Sequence, residues 1–285
     1  DVCSSDLYFA GLIQKQNLHY KNIMKNFKLL LVAFALTAFA QVNAQTAEEI
    51  VANYFENTGG VDNWKKIKGI KFVATVNQMG MEIPIEMVQL GDGRMATTIT
   101  FQGKEIKQGV FDGETLWNTN FMSMKAEKSD PEQTAMIKQA TVEFPDPFLN
   151  YKEHGFTIAL DGEETIDGAE TFKIKLTKKP VMVDGKEEEN IVYYFFDKDN
   201  FVPIATRSEV KSGPSKGMMS ENTFSDYQEV EGTGIYFPFS QTMGANLAPG
   251  GQAPAITFKS VEINPTVDDS IFAFPKEDAT PTTKN

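Results

Sequence analysis

The stretch VFDGETLWNTNF, residues 110–121, places an Asp-Gly pair between two runs that have the composition of β-strands. Asp112 and Glu114 flank Gly113, so they are either the acid pair of a hydrolase or the polar ends of a tight turn. An acid pair needs one carboxyl group in an apolar setting, whereas both of these groups fall on the turn itself. Asp-Gly between β runs is a strong hairpin signal because glycine accepts positive φ. The stretch therefore predicts a structural hairpin that carries Trp117.

The same two-residue period extends in both directions from this hairpin and predicts a mainly β protein of about a dozen strands. Short glycine-containing turns separate the runs, for example at 91–93, 161–162, 167–168 and 184–185. Such short links favour antiparallel neighbours. The predicted strands are 70–79, 82–90, 94–102, 104–111, 115–121, 156–160, 171–177, 190–197, 201–210, 218–228, 235–242 and 256–263.

Two segments have a helical pattern instead. Thr46 and Glu49 form a capping box ahead of apolar residues at helical spacing, and Gly59-Gly60 ends this first helix. Asp130 caps the second helix, PEQTAMIKQA at 131–140, whose first residue is Pro131. The apolar side of the second helix consists of Ala135, Met136 and Ala140.

The N-terminal part has the pattern of a signal peptide at 24–44. Met24 and two lysines precede an apolar run from Leu29 to Ala40, and small residues precede Gln45. We therefore expect export to the periplasm with cleavage near Ala44/Gln45, and we interpret residues 1–23 as an upstream extension outside the protein. One β domain is expected at 45–276, because no linker rich in Gly, Pro or Ser divides it, and a flexible tail at 277–285.

Composition argues against several classes of function. Residues 1–44 hold four lysines, two aspartates and the one cysteine, Cys3, so the rest has 23 basic and 37 acidic residues and a net charge of −14. This charge repels phosphate backbones and anionic headgroups, so we expect no nucleic-acid partner. Beyond residue 44 the one histidine is His154, which has no accompanying catalytic motif.

Other acidic groups have simpler interpretations than metal binding. Asp197 and Asp199 resemble the start of a calcium loop, but Val202 and Ser208 occupy the positions that require glycine and glutamate. Glu187-Glu188-Glu189 and Asp268-Asp269 have the pattern of a solvated loop and a turn. We predict no cofactor, no metal and no catalytic residue.

Apolar side chains form the most distinctive feature. Beyond residue 44 the chain carries 11 methionines and 18 phenylalanines. Flexible thioethers can repack around varied guests, although the same residues could equally fill an ordinary core. The methionines in or next to predicted strands are Met79, Met81, Met87, Met95, Met122, Met124, Met218 and Met219.

Several motifs over 46–276 resemble the LolA/LolB superfamily of periplasmic lipoprotein carriers, and in particular its branch of outer-membrane lipoprotein-sorting-protein-like members. The motifs are TGGVDNWKKIKGIK, VFDGETLWNTNF, FLNYKEHGF, FSDYQEVEGTGIYFPF and INPTVDDSIFAFP. The resemblance implies a curved antiparallel sheet in an unclosed half-barrel, with helices over its concave face and an apolar cavity for acyl chains. It also implies that Arg94 is the arginine that latches the lid. The cavity residues that we predict are Tyr54, Phe55, Trp64, Phe72, Met87, Met95, Trp117 and Met136.

The sequence thus favours a monomeric, non-catalytic periplasmic carrier or chaperone. Its expected cargo is the acyl chain of a lipoprotein or another lipid, and lipoprotein-transfer proteins of the inner and outer membranes are candidate partners. Two alternatives stay open: a sensor or scaffold that binds a protein segment, and a periplasmic hydrolase that uses His154 or an acid pair.

Overall fold

The structure, a computed structural model, describes residues 45–78, 80–211, 213–244 and 253–275. The predicted signal peptide, the upstream extension, the tail and Met79 lie outside the described residues. From Thr46 onward the described residues belong to one compact unit. Among the described helices, none has an apolar stretch long enough to cross a membrane.

Thirteen antiparallel strands of the described chain form one sheet. Its spatial order is β6-β5-β4-β3-β2-β1-β13-β12-β11-β10-β9-β8-β7, so two consecutive meanders join where β1 pairs with β13. β6 and β7 are edges, and the sheet is therefore not closed. The prediction of a mainly β, unclosed antiparallel half-barrel is confirmed. The strands are β1 Gly69–Gln78, β2 Met81–Leu90, β3 Met95–Phe101, β4 Lys104–Phe111, β5 Leu116–Thr119, β6 Ala126–Lys128, β7 Thr157–Ile166, β8 Ala169–Val183, β9 Lys186–Asp197, β10 Pro203–Glu209, β11 Met219–Val230, β12 Ile235–Thr242 and β13 Ala255–Ile263.

Helices and 3-10 turns are few in the described chain. They are α1 Ala47–Asn57, α2 Val61–Trp64, α3 Pro131–Ala140, and 3-10 turns at Thr141–Glu143 and Asp269–Phe272. The predicted caps are confirmed: Thr46 and Glu49 form the capping box of α1, and Asp130 accepts a hydrogen bond from the Gln133 amide at the start of α3.

Several strands differ from the prediction: β6 was not predicted, β9 begins at Lys186 rather than at 190, and β7 and β8 are longer than expected. Asp161-Gly162 was expected to end a strand, but β7 runs through it with an irregularity between Leu160 and Glu163, where Gly162 has a φ of 101°. An extra residue in a β-bulge bends the strand, and glycine here accepts the positive φ. β8 extends past Pro180 in the same way, with a register shift between Lys178 and Val181.

We call the face of the sheet on which α1 packs the inner face. Ile50, Val51, Tyr54 and Phe55 of α1 are buried there against a core that includes Ile174, Leu176, Phe196 and Phe237. Glycine at position 59 allows the end of α1 to approach the sheet closely. Its φ is 117°, and a β-carbon there would collide with the Gly234 carbonyl oxygen of the β11–β12 turn. α1 is therefore fixed to the sheet at its C-terminal end.

The second predicted helix does not join this core. No residue of α3 is fully buried: Met136 is half-buried, while Ala135 and Ala140 of the predicted apolar side are exposed. α3 is held by polar contacts instead, since the Gln139 side-chain amide donates to the carbonyl oxygens of Lys179 (2.9 Å) and Pro180 (3.0 Å). The Glu132 carboxylate accepts from the Asp184 amide at 2.9 Å.

The opposite face of β2–β5 carries a separate cluster. Val88, Ala96, Val110 and Trp117 pack there against Phe272, with Val267, Ile271 and Phe274 around them. The C-terminal segment 267–274 thus covers the outer face of this half of the sheet.

Candidate functional site

A cavity of about 260 Å³ lies on the sheet where β1, β2 and β3 meet β12 and β13. Its lining is mostly apolar, with two side-chain amides and one hydroxyl. The lining residues are Phe72, Met87, Val88, Gln89, Met95, Thr97, Phe237, Pro238, Gln241 and Phe258.

Strand register explains why these side chains meet. Phe72 pairs with Met87, and Met87 pairs with Thr97 on the next strand. Met95 pairs with Gln89 in the same way. Directly paired residues point to the same face and side chains alternate along a strand, so this set lies together on the inner face.

The inner face continues as an apolar surface beyond the cavity. Ala74, Ile85, Ile256 and Phe258 form its buried centre, and Val76, Ile99 and Phe239 pack around them while staying only half-buried. Half-buried aliphatic and aromatic side chains next to a cavity leave room for apolar atoms of a guest.

Three of the predicted cavity residues line this cavity, namely Phe72, Met87 and Met95. Tyr54, Phe55 and Trp64 instead form the aromatic core behind it, where the Trp64 ring lies 5.0 Å from that of Phe237. The Trp64 indole N–H donates to the carbonyl oxygen of Thr58 at 3.1 Å. These three residues support a wall of the cavity rather than its lining.

The other two predicted residues lie elsewhere. Trp117 is buried on the outer face, where its indole N–H donates to the Phe272 carbonyl oxygen at 3.1 Å. Met136 is half-buried on α3 and is not among the lining residues.

Arg94 connects the β2–β3 turn to the C-terminal segment. Its guanidinium donates to the Asp92 carboxylate at 2.9 Å and to the Asp269 carboxylate at 2.7 Å. It also lies over the Phe272 ring, 5.0 Å from the centroid. The hydrogen bond with Asp92, followed by that with Asp269, raises the pKa of Arg94, and the Arg94 bond lowers the pKa of Asp92. Arg94 thus fastens the outer-face segment 267–274.

A partly buried polar contact between distant segments was not expected from the sequence. The Asp146 carboxylate accepts from the Tyr54 hydroxyl at 2.9 Å and from the Phe148 amide at 2.8 Å. Burial raises the pKa of Asp146 to about 6, and the nearby Glu143 carboxylate adds to the rise. The contact joins α1 to a segment 92 residues away, so no local pattern could reveal it.

The candidate catalytic groups sit in structural roles. One Asp112 carboxylate oxygen accepts from the amides of Glu114 (2.9 Å) and Thr115 (2.7 Å), as expected for the predicted hairpin turn. Asp197 accepts from the amides of Asp199 and Asn200 in the β9–β10 turn. Among the described residues, no three His, Cys, Asp or Glu side chains are grouped as metal ligands.

A larger hollow of about 650 Å³ lies beside the C-terminal end of α1. Asn57, Asp197, Asp199, Asn200 and Asp226 contribute to its lining, which is more polar than that of the inner-face cavity. Because Asp197 is already satisfied by its own turn, we favour the smaller apolar cavity as the functional site.

Lining residues that the sequence interpretation missed fall into two groups. Gln89 and Thr97 are two positions from Met87 and Met95, so strand alternation alone could have identified them. Phe237, Gln241 and Phe258 come from the distant strands β12 and β13, and only the pairing of β13 with β1 brings them to the cavity.

No family model and no curated protein matches this chain. Among solved structures it is similar to a DUF1329 family protein from Desulfovibrio piger, with 16% identity and a TM-score of 0.47 over 79% of this chain and 97% of that one. A LolA superfamily protein from Nitrosomonas europaea has 14% identity and a TM-score of 0.47, over 81% and 98%. An outer membrane lipoprotein-sorting protein domain from Vibrio parahaemolyticus has 9% identity and a TM-score of 0.45, over 79% and 94%.

These structural neighbours confirm the predicted resemblance to the LolA and lipoprotein-sorting proteins.

Proposed function

We propose that this protein is a non-catalytic carrier that binds an acyl chain of a lipoprotein or of another lipid in the inner-face cavity. The apolar lining is the observation that supports the proposal, because each methylene moved from water to such a surface contributes about 0.8 kcal/mol. About ten enclosed methylenes would contribute roughly 8 kcal/mol before the freedom that the bound chain loses is subtracted.

The chemistry of the lining fits a reversible guest. Met87 and Met95 can change rotamer at low cost and so adapt to chains of different length. Gln89, Gln241 and Thr97 supply donors and acceptors for an ester or amide group at the head of the chain. At about 260 Å³ the cavity is smaller than most small-molecule pockets, which hold roughly 300–1,000 Å³. A long chain would therefore extend along the half-buried surface around Val76 and Ile99.

The proposal includes the compartment in which the protein works and the direction in which it moves its cargo. The protein would work in the periplasm as a monomer and move its cargo towards the outer membrane, with transfer proteins of the inner and outer membranes as partners. Phe72, Met87 and Met95 are the predicted residues proposed for contact with the chain, and Arg94 remains the candidate for the latch.

Two neighbouring threonines provide a matched test. Thr97 lines the cavity, whereas Thr98, the next residue of β3, points to the outer face and accepts a hydrogen bond from Lys107. Thr97→Phe fills the cavity, so we expect it to weaken binding of a dansylated fatty acid at least tenfold. Thr98→Phe should change the affinity less than twofold.

The outcomes are distinct. Equal affinities of the two variants would exclude this cavity as the site. If the unaltered protein neither binds the probe nor carries lipid in native mass spectrometry after expression in the cell envelope, the carrier proposal fails. The scaffold that binds a protein segment would then take its place.

A further inference from the structure

Large apolar side chains that are exposed to solvent gather at one end of the sheet. Antiparallel pairing places the ends of β1, β3, β5, β8, β10 and β12 at the same end. Of the 13 large hydrophobic residues exposed in the described chain, nine lie there. We call this end the apolar end, and its exposed apolar residues are Met81, Phe101, Phe121, Met122, Met124, Met182, Met218, Met219 and Met243.

The β5–β6 turn presents the most exposed of these side chains. Phe121 is 63% exposed and Met122 is 96% exposed. In a loop without internal hydrogen bonds, these side chains could fold back against the protein. Here Asn120 holds the turn in one conformation. Its side-chain oxygen accepts from the amides of Met122 (2.9 Å) and Ser123 (3.1 Å), and its carbonyl oxygen accepts from the Met124 amide at 2.8 Å.

This pattern of hydrogen bonds bears on the kind of partner. A lipid bilayer offers no partners for backbone amides in its hydrocarbon region, so a segment that enters it must satisfy its own. The amides of Met122, Ser123 and Met124 are satisfied within the turn. Amides in the connection before β11 are also satisfied within the protein. The Met218 amide donates to the Ser215 carbonyl oxygen at 3.0 Å, and the Gly217 amide donates to the Val210 carbonyl oxygen at 2.8 Å.

Lysines lie in the strand connections of the apolar end. Lys211 and Lys216 are paired there with Glu209 (2.9 Å) and Asp184 (2.6 Å), and Lys125 lies in the same β5–β6 turn as Phe121 and Met122. The hairpin connections at the opposite end contain six carboxylates and two basic residues, a local charge of −4. A lysine next to exposed apolar side chains can reach headgroup phosphates while those side chains are buried in the membrane interface.

We propose that the apolar end docks on a phospholipid bilayer, with Phe121 and Met122 inserted into the interface and Lys125 at the headgroup phosphates. The whole chain has a net charge of −12, which opposes approach to strongly anionic surfaces. The surface that fits is therefore zwitterionic, such as phosphatidylcholine. This inference goes beyond the carrier function and does not depend on a guest in the cavity.

Tryptophan fluorescence can test the insertion directly. Both native tryptophans are buried, Trp64 at 1% and Trp117 at 3% exposure, so an added surface tryptophan reports on its own surroundings. With phosphatidylcholine vesicles, we expect Phe121→Trp to show a blue-shifted emission that brominated lipid quenches. Tyr236→Trp, at an exposed position of the opposite end, should show neither effect.

A variant without the two exposed apolar side chains of the β5–β6 turn provides a second test. The double variant Phe121→Ser/Met122→Ser should co-sediment with these vesicles at least fivefold less than the unaltered protein, whereas Val61→Ser, also at an exposed site, should bind normally. An unshifted Phe121→Trp emission, or undiminished co-sedimentation of the double variant, would overturn the proposal. The proposal would also be overturned if the unaltered protein is a dimer in solution and the double variant is a monomer. Phe121 and Met122 would then bind a second copy of the protein rather than a bilayer.

The fatty-acid probe separates this inference from the proposed function. The double variant should bind the dansylated probe as the unaltered protein does, because Phe121 and Met122 lie outside the cavity lining. Vesicle binding without any probe binding would leave the bilayer contact standing while the carrier function falls.

Discussion

Replacing Asp146 by asparagine would remove one partly buried titrating carboxyl group, whose two oxygens accept separately from the Tyr54 hydroxyl and the Phe148 amide. The asparagine side-chain oxygen can still accept from the Phe148 amide or the Tyr54 hydroxyl, the two donors to Asp146. The asparagine NH2 group can donate to the Tyr54 hydroxyl oxygen instead, so the pH dependence of stability, rather than its absolute value, reports the effect of the charge.

The magnitude follows from the raised pKa. Burial moves the pKa of Asp146 from 3.8 to about 6 in the folded protein. Because the folded state holds the proton more tightly, the protonated group stabilises the fold below about pH 4, and this contribution is lost as pH rises through about 6. A shift of about two pKa units corresponds to roughly 3 kcal/mol in total, of which about 2 kcal/mol falls between pH 4.5 and 7.5.

Urea denaturation of both proteins across this pH range provides the measurement. We expect the free energy of unfolding of the unaltered protein, relative to Asp146→Asn, to fall by about 2 kcal/mol from pH 4.5 to 7.5. Taking the difference cancels the other carboxyl groups, such as Asp92 and Asp268, whose pKa values are lowered and whose contributions are lost on acidification.

Tyr54→Phe is the matched control. The Tyr54 hydrogen bond lowers the pKa of Asp146, so its loss should make the pH dependence steeper. A difference between the unaltered protein and Asp146→Asn that stays flat, or that rises with pH, would refute the argument that burial governs this carboxyl group.

Three further substitutions test the hairpin and the C-terminal segment. Trp117→Ala removes a buried ring from the outer-face cluster and should lower the free energy of unfolding by about 3–5 kcal/mol in urea titrations; a loss under about 1 kcal/mol would contradict that packing. Asp112→Asn keeps the acceptor oxygen of the turn, so it should change the unfolding free energy by less than about 0.5 kcal/mol and leave probe binding intact. Arg94→Leu breaks the bonds to Asp92 and Asp269, which are partly exposed and contribute about 1 kcal/mol or less. Limited proteolysis should nevertheless cut this variant faster within 267–274, and an unchanged cleavage rate would show that Phe272 and its neighbours hold the segment without Arg94.

Local features of the fold were predictable from the sequence because local chemistry determines them. The capping box of Thr46 and Glu49 satisfies amides within one helical turn, and Asp112-Gly113 needs only its own two neighbours to form a turn. The two-residue period of β1 to β5 likewise records which positions face the core. Met87 and Met95 could therefore be placed near Phe72 from the pattern of adjacent strands, and the fold class followed from the number of short-linked runs.

Contacts between distant segments could not be predicted from the sequence and required the tertiary structure. Period two shows that Trp117 and Phe72 belong to buried faces, but it does not say which of the two faces each one occupies. The Trp117 face is the outer one because α1 packs on the opposite face, and segment 267–274 buries Trp117 there. The cavity formed where β13 pairs with β1, almost 200 residues away in sequence. The burial of Asp146 and the gathering of nine exposed apolar residues at one end have the same cause. Both result from how the strands and α1 assemble, and that assembly is set by packing across the whole chain rather than by any local pattern.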